Sequence, residues 1–216
     1  MANNRDLIQE LTSEGYLKTP LIIKAFQVID RKDFVPPELQ VEAYVNTALA
    51  IGFGQTISQP LVVAFMLELL VPKPGEQILD VGSGSGWKAA LLAYVISQDK
   101  NKNSGKVVSI ERIMGLKEIA EKNIAKYNFI KKGIVKVILG DGAKPSLKFM
   151  PLEGYNKIIA GAAGEAIPGT WKKQLKIGGR IVAPVGHSIM MLDKIKQDEF
   201  KETCYEGFNF VPLISE

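Results

Sequence analysis

The chain has 216 residues, of which 46% are hydrophobic and 23% are charged, enough for one domain with a sizeable core. Its richest apolar run, residues 61–71, already contains Glu68 and falls short of the roughly 20 residues that span a bilayer. The net charge of +4 comes from scattered lysines without interleaved aromatic residues, so we expect neither nucleic acid nor a membrane as a partner.

Cys204 is the only cysteine and His187 the only histidine. A single cysteine cannot form an internal disulfide, which fits a reducing compartment. One histidine and one cysteine do not make a zinc site unless carboxylates complete it, so no metal is expected. The first residues lack the basic start and apolar core of a signal peptide. We therefore expect a cytoplasmic protein.

The first part of the chain favours helices. Apolar periodicity predicts three of them, over residues 6–14, 19–29 and 60–70. Thr19-Pro20 is typical of a helix start, because proline suits the first turn. Residues 33–37, Asp-Phe-Val-Pro-Pro, break the second helix. The glycine-containing residues 48–58 are predicted to form a loop or a short strand.

From residue 77 onward, strands alternate with helices. Strands are predicted over residues 77–81, 106–111, 134–139, 157–160 and 180–183, and helices over residues 87–97, 114–127 and 168–176. This alternation predicts an α/β fold with a doubly wound, mostly parallel sheet and helices on both faces. Residues 190–195 and 208–213 have no helix pattern between them. We expect them to pair as an antiparallel addition at one end of the sheet.

The most informative motif lies between the first of these strands and the following helix. It contains Asp80, Gly82, Ser83, Gly84 and Gly86 in the order Asp-Val-Gly-Ser-Gly-Ser-Gly. Such a turn lies at the carboxyl edge of the sheet, where open α/β sheets bind ligands. Glycines allow a tight turn and a close approach of backbone to ligand. A glycine-rich turn alone could equally be a structural connection.

Acidic residues at successive strand ends narrow the choice of ligand. An acid beside the turn, Asp80, would repel a pyrophosphate but suits the sulfonium and ammonium groups of S-adenosylmethionine. Glu111 ends the next strand, where a carboxylate can accept both ribose hydroxyls. Asp141, followed by Gly142, comes after the third strand and could bind the adenine amino group. The ordered set predicts an S-adenosylmethionine site.

Two of these segments, residues 78–87 and 107–112, resemble the first two cofactor motifs of class I methyltransferases. Within that superfamily the chain resembles the protein-L-isoaspartate O-methyltransferases. The most specific element is Gly-Phe-Gly-Gln-Thr-Ile-Ser-Gln-Pro at residues 52–60, supported by residues 140–142, 176–186 and 211–213. The resemblance extends from about residue 5 to the end of the chain.

The resemblance implies methyl transfer to the carboxylate of L-isoaspartyl residues, and possibly of D-aspartyl residues, in damaged proteins and peptides. It places Ser58 nearest the transferred methyl group, as the catalytic residue that orients the attacking carboxylate. Ser58 could also cap the helix that begins near Pro60. Besides the strand-end residues, the implied cofactor contacts are Gln55, Thr56 and Ile57, and the implied substrate contacts are Gln59, Val211 and Pro212.

We expect residues 1–216 to form a single methyltransferase domain, in which residues 1–60 are a helical segment that lines the substrate cleft and residues 61–216 are the cofactor-binding core. We also expect a monomer whose partners are isoaspartyl-containing proteins and peptides. Residues 45–49, Val-Asn-Thr-Ala-Leu, depart from the acidic, basic and proline pattern of the family. Because that segment should lie near the substrate cleft, we expect an altered affinity for peptides.

Three other interpretations fit part of the pattern. A class I methyltransferase acting on RNA or a small molecule would have the same cofactor motifs, and only residues 52–60 argue against it. A binding or adaptor module could retain the fold without catalysis, although Ser58, Asp80, Glu111 and Asp141 are all present. A dehydrogenase that binds NAD is disfavoured by the glycine spacing and by the acid before it.

Overall fold

The structure is a computed structural model that describes residues 3–99 and 105–214 of the chain. The α-helices are α1 (Asn4–Ser13), α2 (Pro20–Val28), α3 (Pro60–Leu70), α4 (Trp87–Ile96), α5 (Met114–Ala125) and α6 (Gly169–Gln174). The strands are β1 (Leu49–Gly52), β2 (Gln55–Ile57), β3 (Gln77–Val81), β4 (Lys106–Glu111), β5 (Val135–Leu139), β6 (Tyr155–Ala160), β7 (Leu175–Val185), β8 (Ser188–Lys196) and β9 (Glu199–Glu206). Short 3-10 helices occupy Arg31–Phe34, Pro37–Glu42 and Leu147–Phe149.

The main sheet has the strand order β5-β4-β3-β6-β7-β8-β9. The strands from β5 to β7 are parallel, whereas β8 and β9 add to the β7 side in antiparallel fashion. The chain moves outward from β3 through β4 to β5, and then returns to the other side of β3 with β6. This reversal between β3 and β6 is the topological switch point at which such sheets bind ligands. The predicted doubly wound fold is confirmed.

Each face of the sheet is covered by its own hydrophobic core. Ile78 belongs to the larger core, which includes residues of α1 to α5, and its neighbour Leu79 belongs to the core that includes Trp171 of α6. Successive side chains of a strand point to opposite faces, so a strand covered on both faces is apolar throughout. This arrangement explains why the neighbours Ile78 and Leu79 are both fully buried.

The predicted pairing at the C-terminus is wrong in one partner. β8 pairs with β9 rather than with residues 208–213. The strand β9, Glu-Phe-Lys-Glu-Thr-Cys-Tyr-Glu, lies at the sheet edge with many exposed side chains, so its sequence lacks the apolar signal of a strand. Residues 208–213 instead lie alongside the loop that follows β6, and Pro212 forms an isolated β-bridge with Ala163 of that loop.

Residues 48–58 form a small hairpin, β1–β2, outside the main sheet. Leu49 pairs with Ile57, and Phe53 and Gly54 make the turn. The hairpin lies over the glycine-rich turn, since a Cβ placed on Gly84 would be 3.4 Å from Cδ1 of Ile51. It therefore covers the carboxyl edge of the sheet.

No helix within residues 3–99 and 105–214 has the length and apolar character needed to cross a membrane.

Candidate active site

A cleft opens at the switch point between β3 and β6. Its floor is formed by the turn after β3, its sides by the ends of β4 and β6, and its cover by the hairpin and the C-terminal segment. Of the residues predicted for cofactor or substrate, those lining this cleft are Gln55, Thr56, Ile57, Ser58, Gly82, Ser83, Gly84, Glu111, Gly142, Val211 and Pro212. Gln59, Asp80, Gly86 and Asp141 are not among the lining residues.

The turn after β3 requires glycine at several positions. Gly82, Gly84 and Gly86 have φ angles of 77°, 53° and 93°, in a region that side chains with a Cβ disfavour. Gly86 has a second constraint, since a Cβ there would come within 2.9 Å of Ile124 on α5. Gly86 therefore allows α4 and α5 to pack closely beneath the cleft, and Gly82 and Gly84 present bare backbone to it.

Glu111 is the last residue of β4 and is 6% exposed. Its Oε2 accepts a hydrogen bond of 3.0 Å from the amide of Gly84, and its Oε1 accepts bonds from the amides of Arg112 and Ile113 at 2.9 and 3.1 Å. A carboxylate has about four acceptor sites, so roughly one remains for a ligand. Three fixed amides hold the carboxylate rigidly at the cleft wall.

Asp80 lies behind the cleft rather than in it. It is fully buried, its Oδ2 accepts a hydrogen bond of 2.6 Å from the Ser109 hydroxyl, and its Oδ1 is 2.9 Å from Nζ of Lys88. The Ser83 hydroxyl, 2.6 Å from that of Ser109, extends the network to the turn. The predicted direct contact between Asp80 and the positive groups of the cofactor does not fit this placement, because Lys88 already occupies the carboxylate.

The predicted adenine side of the cleft is formed by backbone. Gly140 and Gly142 line it, whereas Asp141 is half-buried and its Oδ1 accepts a 2.8 Å bond from the amide of Ala143. A Cβ on Gly142 would overlap the side chain of Val81. The carbonyl of Gly142 accepts a 2.8 Å bond from the Trp171 indole, which fixes this loop to the core of the second sheet face.

Ser58 follows β2 and lines the cleft. Within the part of the chain that the structure describes, its hydroxyl has no hydrogen-bond partner. The N-cap of α3 is Gln59 and makes no side-chain capping bond, so the alternative role of Ser58 as a helix cap is not seen. Gln59 points away from the cleft and donates a 3.0 Å bond to the carbonyl of Asn46.

The C-terminal segment is tied to the loop after β6. The amide of Ala163 donates a 2.8 Å bond to the carbonyl of Val211, and the amide of Leu213 donates a 2.7 Å bond to the carbonyl of Ala163. These two bonds place Val211 and Pro212 at the rim of the cleft, across from the hairpin.

Sequence reasoning missed two residues that shape this site. Lys88, in the first turn of α4, lines the cleft beside Gly161. Arg31 is fully buried and donates to four backbone carbonyls, one of which is that of Ser58. The sequence did offer a signal for Lys88, because it is the one charged residue of the otherwise apolar helix α4. Arg31 had no local signal, because its partners lie 12 to 27 residues further along the chain.

The residues of the cleft fit a nucleoside with an amino-acid tail. Besides the free capacity of Glu111, the Oγ of Ser85 and the Nε1 of Trp87 are buried without a hydrogen-bond partner among the described residues, and both residues line the cleft. Buried polar atoms without partners are rare in folded proteins. Their presence here indicates a polar ligand. Within the described ranges no group of three or more His, Cys, Asp or Glu residues is arranged to hold a metal ion.

A doubly wound sheet of this strand order, with a glycine turn at its switch point and a rigid carboxylate at the next strand end, defines a class I methyltransferase dependent on S-adenosylmethionine. The comparisons with known proteins place the chain more narrowly. Residues 2–216 match the family model described as protein-L-isoaspartate(D-aspartate) O-methyltransferase (PCMT).

Curated relatives have the same name. A protein-L-isoaspartate O-methyltransferase of Methanopyrus kandleri is 38% identical over 214 residues, which is 97% of this chain and 90% of the relative. The enzyme of that name from Methanococcus aeolicus is 39% identical over 211 residues, covering 96% of this chain and 92% of its own. The crystal structure of a Plasmodium falciparum protein, solved in complex with S-adenosyl-L-homocysteine, matches this chain with a TM-score of 0.88 at 23% identity. The match covers 99% of each chain and shows that the two share a fold.

The chain belongs to the protein-L-isoaspartate(D-aspartate) O-methyltransferase family. It is an enzyme, and the resemblance predicted from residues 52–60 is confirmed.

Proposed function

We propose that this protein repairs damaged proteins by transferring a methyl group from S-adenosylmethionine to the free α-carboxylate of L-isoaspartyl residues. The observation that carries the proposal is the Ser58 hydroxyl, which lines the cleft beside the glycine turn and has no partner among the described residues. The amide nitrogen of the following residue then attacks the ester carbonyl, methanol leaves, and water opens the resulting succinimide in part to normal aspartate.

The chemistry asks little of the protein in acid or base catalysis. The free carboxyl of an isoaspartyl residue has a pKa of roughly 4 or below and is ionised at neutral pH, so no general base is needed to create the nucleophile. The sulfonium of the bound cofactor supplies the methyl group. The contribution of the protein is to hold a carboxylate oxygen in line with that group and to exclude water.

Each part of the cleft has a role in that positioning. Glu111 would accept a ribose hydroxyl at its remaining acceptor site, and Gly140 and Gly142 would bind the adenine edge with the backbone of the loop after β5. Asp141 supports that loop through its bond to the amide of Ala143. The backbone of Gly82 and Gly84 lies along the ligand. The shape of this turn is fixed by Asp80, Ser83 and Gly86, which support ligand binding indirectly.

The cover of the cleft holds the substrate. The cofactor would lie beneath residues 55–57 of the hairpin, Gln55, Thr56 and Ile57. The hydroxyl of Ser58 would donate a hydrogen bond to the attacking carboxylate. Val211 and Pro212 form the opposite rim, where an extended peptide can lie. Gln59 would contribute to substrate binding indirectly. Its bond to Asn46 holds residues 45–49, the segment that departs from the family pattern, beside Ser58.

We further propose that the chain works as one domain, in which residues 1–60 supply the hairpin and Ser58 while residues 61–216 bind the cofactor. Ser58 and Glu111, one from each segment, line the same cleft. We also propose that the protein acts as a monomer, since one chain supplies every residue that the mechanism uses. Its single cysteine fits our proposal that it acts in the cytoplasm.

A methyl-transfer assay tests the function. An isoaspartyl peptide is compared with the peptide of the same sequence that contains normal aspartate, and with an RNA substrate. Methylation of the isoaspartyl peptide alone supports the proposal. Methylation of RNA but of neither peptide would favour the alternative methyltransferase, and binding of cofactor without any methyl transfer would favour an adaptor module.

A further inference from the structure

The orientation of the donor in the cleft follows from the proposed function, on which this inference rests. That function assigns the ribose to Glu111 on β4 and the adenine to the loop after β5, whose Gly140 and Gly142 line the cleft. The strand order β5-β4-β3-β6 then places the remaining part of the molecule, the methionine moiety, across β3 toward β6. That end of the cleft is lined by Gly161 and Ala162.

Lys88 reaches this end of the cleft. Its Nζ is 2.9 Å from Oδ1 of Asp80 and 3.5 Å from the carbonyl of Val81. A Cβ on Gly161 would lie 3.0 Å from the same Nζ, so the ammonium lies directly beside the backbone that follows β6. Lys88 is 9% exposed, and what remains exposed faces the cleft that it lines.

The N–H donors at this end favour an acceptor such as a carboxylate. Lys88 and Asp80 neutralise each other, so the pair has no net charge and the ligand is selected by the hydrogen-bond donors that Lys88 has left. An ammonium has three N–H donors. Its 2.9 Å contact with Oδ1 of Asp80 is an ion pair without hydrogen-bond geometry, and the carbonyl of Val81 lies at the 3.5 Å limit of hydrogen bonding. At least one donor is left. The other cation that lines the cleft in the described ranges, Arg112, lies next to Glu111 at the ribose end.

We propose that Lys88 binds the α-carboxylate of the methionine moiety of the cofactor, and that Asp80 is the positioning residue that aims the ammonium. Lys88 is then the residue that distinguishes ligands with an amino-acid tail from ligands that lack the carboxylate. The contact is made equally by the donor and by its product, S-adenosylhomocysteine, so binding of the product reports it without any turnover.

Calorimetry with two ligands measures this contact. The first is S-adenosylhomocysteine and the second is its decarboxylated form, which has an aminopropyl group in place of the amino-acid tail. The wild-type protein should bind the first roughly 10- to 100-fold more tightly, the range expected for one hydrogen bond between charged groups. Lys88→Met should bring the two dissociation constants within about threefold of each other, by weakening the first.

Lys88→Met leaves the buried carboxylate of Asp80 unpaired, which could unfold the protein. The double variant Asp80→Asn/Lys88→Met removes both charges, and it should show the same collapse of the ratio in a folded protein. Asp80→Asn alone keeps Lys88, and its amide oxygen can still hold the ammonium in place, so this variant should keep the preference for the carboxylate. Lys196→Met, at a side chain that is 76% exposed at the end of β8, is the matched control and should bind both ligands as the wild type does.

A wild-type ratio in the double variant, or an equal loss for both ligands, would overturn the inference. A wild-type protein that binds the two ligands equally would overturn it as well, with the proposed function intact. A wild-type protein that binds neither would instead overturn the proposed function, and this inference with it.

Discussion

The guanidinium of Arg31 donates a hydrogen bond of 3.2 Å to the backbone carbonyl of Ser58. The same guanidinium donates to the carbonyls of Ala43, Val45 and Thr47 at 2.8, 3.3 and 2.8 Å. Its Cζ lies 5.4 Å from the centre of the Trp87 ring, which lines the cleft. Burial lowers the pKa of Arg31 to about 10, so the group remains charged at neutral pH. One buried cation therefore joins the segment before the hairpin to the proposed catalytic residue.

Replacing Arg31 by lysine tests this link. Lysine keeps the charge but lacks the planar fork that reaches four carbonyls. We expect Arg31→Lys to lower the free energy of unfolding by about 1 to 3 kcal/mol, because buried carbonyls lose their donors. We also expect a higher KM for the isoaspartyl peptide with a nearly unchanged Kd for S-adenosylhomocysteine. Thermal denaturation, kinetics and calorimetry measure the three quantities.

The exposed Arg5, on α1, provides the matched control, and Arg5→Lys should behave as the wild type. Should Arg31→Lys lose stability without any change in KM, the side chain would be structural only and would not position Ser58.

Ser58 itself is the second test. Ser58→Ala removes a hydroxyl that is not engaged elsewhere in the described structure, so we expect lower kcat with cofactor affinity and thermal stability nearly intact. Single-turnover methyl transfer and calorimetry with S-adenosylhomocysteine measure the two effects. Ser13→Ala, at an exposed position on α1, should change neither. Equal losses in turnover and cofactor binding would show that Ser58 contacts the cofactor rather than the substrate.

Much of the fold was predictable because its strands are covered on both faces. β3 and β4 are mostly buried and lead into the glycine turn and Glu111, so their bounds were read correctly from the sequence. β9 was missed because one edge of it has no neighbour in the sheet, and its exposed polar residues resemble a loop. A strand at a sheet edge is stabilised by its partner rather than by its own composition.

The site divides in the same way. Glu111 and the glycine turn were predictable, since strand ends and their following turns are local features. The surroundings of Asp80 were not, because its partner Lys88 lies eight residues further along the chain, in the first turn of α4, and the sequence does not show which way it points. Arg31 depends on carbonyls brought in by the folded chain, which no local pattern encodes. Motifs located the cleft, and only the tertiary structure distinguishes its lining from its support.

Glu111 joins ligand binding to the shape of the turn. Glu111→Gln replaces one acceptor oxygen by an NH₂ group that faces a backbone amide, of Gly84 or of Arg112 and Ile113. We expect the affinity for S-adenosylhomocysteine to fall by about 1 to 3 kcal/mol, as for the loss of hydrogen bonds to a charged group. Calorimetry measures the change.

The control for this prediction is Glu121→Gln, which removes a partly exposed ion pair with Lys117 on the outer face of α5. Such pairs contribute little, so the affinity should stay at the wild-type value. An unchanged affinity in Glu111→Gln would contradict the assignment of the ribose site.

The hairpin over the cleft is held at its tip by Phe53. This side chain is 59% exposed, its backbone has a φ of 54°, and its ring lies against Gly115 in the first turn of α5. A Cβ on Gly115 would overlap the ring. Positive φ is unfavourable for a residue with a side chain, so the contact between the ring and Gly115 offsets backbone strain. Gln55 and Thr56, which follow this turn, line the cleft.

Two substitutions should loosen this contact by different routes. Phe53→Ala removes the ring, and Gly115→Ala displaces it. We expect each to speed the release of S-adenosylhomocysteine by roughly fivefold, which corresponds to about 1 kcal/mol of lost apolar contact. Stopped-flow displacement measures the rate. Leu152→Ala, at a fully exposed side chain, and Gly169→Ala, in a helix position with open space around the Cβ, are the matched controls and should release the product at the wild-type rate. Faster release in Phe53→Ala but not in Gly115→Ala would mean that the ring acts on the ligand directly rather than by holding the hairpin against α5.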